Sequence, residues 1–171
     1  MGKLTVLALR AALAVVFAGS LFVQAVIVPL LFNDMKELEP ALAYIRTPFL
    51  VIVVLGALTV QVILVCVWRL VTMVRRGTVF SHDAFRYVDV VIGAIVAAAL
   101  LMFSLTVLLA SMNHRVPEDA VAPGIILLMC VTVVAILGVA LIMVVLRMLL
   151  AQAIARDVEA SQMQAELDEV I

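Results

Sequence analysis

PFLVIVVLGALTVQVILVCVW, residues 48–68, carries no charge and only two polar side chains between its ends, Thr59 and Gln61. Its length matches the roughly 20 helical residues that cross a bilayer's hydrocarbon core. Lipid offers nothing to a bare N–H or C=O, so a segment of this kind satisfies its backbone as a helix or as part of a closed barrel. Barrel strands alternate apolar and polar residues, whereas Phe49 to Val60 is almost uniformly apolar, and the helix wins.

Three further runs of the same kind follow from this reading, at about 11–32, 88–112 and 123–146. With 67% hydrophobic and 13% charged residues in 171, the chain lacks the polar surface of a soluble domain. The expected fold is an all-α membrane protein, a four-transmembrane-helix bundle forming a single domain over 1–171. A helical, acidic tail is expected over 147–171. Lys3 and Arg10 precede the first run and Val23-Gln24-Ala25 loosely resembles a cleavage site, but apolarity continues to Phe32, so a retained helix is expected rather than a signal peptide.

Basic residues in short loops mark the cytoplasmic side. Lys3, Arg10, Arg69, Arg75, Arg76, Arg86, Arg147 and Arg156 fall on one side of the threading, leaving only Lys36, Arg46 and Arg115 of the chain's 11 for the other. Both termini of the multi-pass chain are therefore expected on the cytoplasmic side of its membrane. Trp68 and Tyr87 at the inner surface and Tyr44 at the outer suit the headgroup region.

Pro48 and Pro123 read as first-turn residues of their helices, and Pro29 is expected to bend the first span. Gly77 reads as a helix stop and Ser81 as the cap of the next helix, with Phe80 packing on Phe85 as a staple, so that 77–80 forms a tight cytoplasmic turn. Ser81, His82 and Asp83 do not make a catalytic triad, because adjacent side chains diverge around a helix. From Arg156 to Ile171 the tail carries Asp157, Glu159, Glu166, Asp168 and Glu169 against one arginine, and it ends in apolar Val170 and Ile171. An acidic tail is repelled by anionic lipid and is free to meet a protein or the basic connection at Arg69, Arg75, Arg76 and Arg86. A faint echo between 67–71 and 145–149 fits either a duplicated hairpin or a shared membrane-exit signal.

At membrane depth the polar set is Ser20, Gln24, Thr59, Gln61, Ser104, Thr106 and Thr132, with no ionisable residue mid-span. Gln24 and Gln61 are the hardest to leave unpaired and are expected to bond between helices. Asp89 and Arg69 are expected near the inner surface, within reach of water or each other. Ala14 with Ala18, Gly93 with Ala97, and Ala94 with Ala98 have the small-residue spacing that permits close helix contact. Cys66 and Cys130 read as small buried hydrophobes. No phosphate loop, HExxH pair or Cys/His cluster is present, so no catalytic residue, cofactor or metal is expected.

Val67-Trp68-Arg69-Leu70, the stretch from Arg75 to Ser81 with Ala84 to Asp89, and Glu166 to Ile171 resemble the bacterial membrane proteins grouped as domain of unknown function 2975, their actinobacterial branch in particular. The resemblance extends over nearly the whole chain. It implies four spans and no established activity. Some members look to be encoded beside a small helix-turn-helix regulator, which implies a cytoplasmic protein partner rather than direct nucleic-acid binding. The leading expectation is a non-enzymatic interaction or regulatory module whose partner-binding residues are Arg75, Arg76, Phe80, Phe85, Arg86, Glu166, Asp168 and Ile171. The alternatives are a small transporter, channel or lipid-binding bundle built around Gln24 and Gln61, with homo-oligomerisation, or an assembly factor of a membrane complex.

Overall fold

The computed structural model describes residues 3–34, 43–76, 82–115 and 121–170. All regular structure among them is helical: α1 (Lys3–Phe22), a π-helical turn (Val23–Ile27), α2 (Val28–Asp34), α3 (Ala43–Arg76), α4 (His82–Arg115) and α5 (Pro123–Val170). Four helices are long and apolar enough to cross a membrane: Val6–Asp34, Tyr44–Met73, Phe85–Asn113 and Pro123–Ala160.

The first of these is not uniform. Pro29 has no N–H to give the carbonyl four residues back, and its ring crowds that turn. The chain answers by widening one turn, so that the Val28 N–H donates to the Val23 carbonyl. This is the interruption that Pro29 announces, resolved as a π-turn rather than a simple kink. Pro48 behaves differently from expectation. Helix α3 begins at Ala43, so Pro48 sits inside it, near enough to the start that the carbonyl it leaves unpaired belongs to Tyr44 in the first turn. Pro123 is the first residue of α5, and behind it the Ile125 N–H donates to the Ala122 carbonyl at 2.9 Å.

Packing follows chain order: α1 and α2 lie against α3, α3 against α4, and α4 against α5. Extended contact closing α1 onto α5 is absent among the described residues, so the four helices pack as an open row. The reason lies in the side chains. The first span has none of its apolar window buried, and α5 exposes Leu127, Leu128, Val134, Leu141 and Ile142, among others, around its circumference. In lipid these faces are at ease, because hydrocarbon is as apolar as leucine and supplies no drive to close the ring.

The core is consequently thin. Val91, Ala94, Ala99 and Thr106 of the central helix α4 are buried, Ala99 most completely at 2% exposure. Met129, Val133 and Ala140 are buried on α5, which packs against α4 on one side, and Cys66 is buried on α3, which packs against it on the other. Of the small-residue pairs, Ala94 alone is buried. Gly93 and Ala97 line an open groove of about 600 Å³ between α3 and α4, where a Cβ added to Gly93 would meet nothing within 4 Å. Ala14 and Ala18 are exposed into a second groove, between α1 and α3. Small residues here hollow out the helix interfaces instead of tightening them. Cys66 is buried as expected, whereas Cys130 is exposed on α5.

Candidate functional site

Two ends of the row can be told apart by what they gather. Arg10, near the start of α1, donates to Thr72 Oγ1 near the end of α3 at 3.0 Å, and its guanidinium lies 5.5 Å from the Trp68 ring centroid. Met73 of α3 faces Arg86, Tyr87 and Val90 of α4 around a cavity of about 340 Å³. Asp89 of α4 meets Arg147 of α5, whose Nη2 donates to Oδ2 at 2.7 Å while Nε lies 2.5 Å from Oδ1 without hydrogen-bond alignment. Arg10, Arg69, Arg86 and Arg147, with Trp68 and Tyr87, therefore share one end. Asp89 pairs with Arg147 and not with Arg69. The sequence places both arginines near one surface, but the register between α4 and α5 decides which one reaches the carboxylate.

At the opposite end Arg46 lies 5.3 Å from the Phe32 ring centroid. There the α4–α5 connection is clamped by Asn113, whose Nδ2 donates to the Val121 carbonyl at 3.0 Å and whose Oδ1 accepts from the Val121 N–H at 2.8 Å. One side chain thus copies a backbone pair across the hairpin. Sequence reading missed it, since an Asn at a helix end is an ordinary cap or turn residue until the returning chain is seen.

Between the ends, Gln61 Nε2 donates to Gln24 Oε1 at 2.8 Å and to Ser20 Oγ at 3.3 Å. This is the interhelical bond expected of the two glutamines, and the π-turn carries Gln24. The hydroxyls behave locally: Thr59, Ser104, Thr106 and Thr132 each donate to a carbonyl of their own helix three or four residues back. Gln61→Leu is expected to destabilise the fold by about 1 kcal/mol, the scale of a hydrogen bond between membrane helices. Adding Gln24→Leu should recover much of that loss, because no orphaned amide is then left in lipid. A double-mutant cycle of unfolding in mixed micelles checks it; purely additive losses would show that the two side chains do not act together.

Of the expected partner-binding residues, Phe85 is half-buried and Arg86 exposed at the basic end. The side chains of Arg75, Arg76, Glu166 and Asp168 lie outside the described residues, as do Phe80 and Ile171. So do the turn at 77–80 and the cap Ser81, although α4 begins at the next residue, His82. Groups of three or more His, Cys, Asp or Glu able to hold a metal are absent among the described residues.

The model of a family of proteins of unknown function, DUF2975, matches residues 30–171. The chain belongs to this family. The match begins within α2 and takes in α3, α4 and α5, including Trp68, Asp89 and Arg147. No curated protein and no solved structure matches the chain significantly.

Proposed function

We propose that this member of the family is a non-enzymatic interaction or regulatory module of a bacterial plasma membrane, with both termini in the cytoplasm. The observation that supports it is the unbroken run of α5 over 48 residues. At 1.5 Å per residue that is about 72 Å, against roughly 30 Å of hydrocarbon. The excess is a rigid arm continuing from the basic end, past Arg147, with Gln152, Arg156, Glu159 and Gln162 exposed beside Val158 and Met163. Gathering of Arg10, Arg69, Arg86 and Arg147 at that end favours the cytoplasmic side for it.

The partner is a cytoplasmic protein that reads the basic end and the acidic arm together; the family resemblance suggests a helix-turn-helix regulator. Transport is less well supported, because the described helices form an open row that encloses no path. Affinity capture of the full-length protein from detergent-solubilised native membranes, set beside a variant ending at Arg156 and an Arg86→Ala, Phe85→Ala variant, tests the proposal. Partner recovery is expected to fall at least tenfold with the arm removed and severalfold with the double substitution. Equal recovery from all three would overturn it.

A further inference from the structure

The groove between α1 and α3 is bounded by polar contacts at both ends. At one end Trp68 and Arg69 line its mouth, with Arg10 beside them over the Trp68 ring; at the other, about one helical turn from Leu64, Gln61 donates to Gln24 and Ser20. Between them the walls are apolar, with Leu13, Phe17 and Leu21 facing Leu64, and the cavity volume is about 370 Å³. From Leu13 to Leu21 the groove runs about 12 Å along α1, close to the roughly 15 Å depth of one hydrocarbon leaflet. Ala14 and Ala18 supply the hollow by having little side chain.

Among the described side chains no carboxylate pairs with Arg69 or Arg10, the one recorded ion pair being Asp89 with Arg147. Arg10 Nε is buried without an acceptor, while its Nη2 spends its bond on a neutral hydroxyl. Two guanidinium groups over a leaflet-deep apolar slot are complementary to one kind of molecule, an acyl chain joined to a phosphate.

We propose that this groove binds an anionic phospholipid of the surrounding membrane, one acyl chain lying between α1 and α3 and the headgroup phosphate held by Arg69 and Arg10. The lipid completes an interface that protein contacts leave sparse and fixes α1 to the rest of the row. The site is separate from the α5 arm and holds whether or not the arm binds a partner.

Trp68 is the chain's single tryptophan, so the mouth of the groove carries its own fluorophore. The full-length protein is reconstituted in phosphatidylcholine vesicles with increasing fractions of brominated phosphatidylglycerol or brominated phosphatidylcholine, and quenching of Trp68 is read. Phosphatidylglycerol is expected to bind about tenfold more tightly than phosphatidylcholine, each arginine contributing a severalfold preference. Arg69→Gln should cut the preference to about twofold and Arg69→Lys should keep most of it. Ala18→Leu should weaken quenching by both lipids by filling the slot, and circular dichroism should show that all three variants keep their helices. Equal quenching by the two lipids would overturn the proposal. So would a preference unchanged in Arg69→Gln and Ala18→Leu, which signifies ordinary boundary lipid, or quenching that falls as protein density in the vesicle rises, which signifies a second copy in the groove.

Discussion

Ala99→Phe is expected to destabilise the protein by about 3 kcal/mol, the upper part of the range for forcing extra volume into a packed site. Ala99 is 2% exposed on α4, the helix with a neighbour on either side. A ring introduced at so buried a position must displace whatever packs on it, and moving α4 away from one neighbour opens or strains its contact with the other. Leu100, the next residue, is 61% exposed. Leu100→Phe trades one lipid-facing apolar side chain for another and should stay within about 0.5 kcal/mol of the parent. Unfolding of the two variants in mixed detergent micelles separates them. Equal effects would mean that α4 is not the central element of the row.

The second large effect concerns the pair that ties α4 to α5. Asp89→Ala is expected to destabilise by about 2 kcal/mol, below the roughly 2.5–3.5 kcal/mol attached to a charge at the centre of a membrane helix. The discount has a structural source: the side chains of Arg147 and Asp89 are 39% and 48% exposed near one end of their spans, and a long arginine can turn toward the headgroups. What is lost is the neutralising partner, leaving Arg147 charged beside apolar helix faces. Exchanging the charges, Asp89→Arg with Arg147→Asp, should restore more than half of the stability. If the exchange is as damaging as the single substitution, the pair does not hold the helices and Asp89 acts through some other contact.

Much of this architecture was legible from residue type and order. Runs such as 48–68 dictate helices because lipid forbids an unpaired backbone, and their number and composition follow without any tertiary information. Gln24 and Gln61 were recognisable as groups that must bond between helices for the same reason, while their pairing with each other came only from the structure. Pro29 announced an irregularity but not its form. A missing N–H can be absorbed by a bend, a break or a π-turn, and the choice depends on how the neighbouring turn is packed.

Other features carry no one-dimensional signature. Asp89 had Arg69 and Arg147 at comparable depth, and Asn113 had its own helix end or the returning chain; each was settled by helix rotation and register. The small-residue pairs mark where helices are thin, yet a thin face serves a tight contact or a groove equally well, and Gly93 and Ala14 turned out to border grooves. Helix count, helix length and the identity of the costly polar groups belong to the sequence, because each follows from the balance between a segment and its solvent. The open row, the choice of Asp89 for Arg147 and the slot beneath Arg69 belong to the tertiary structure, because lipid is indifferent to which apolar face is covered, and only the interlocking of particular side chains breaks that tie.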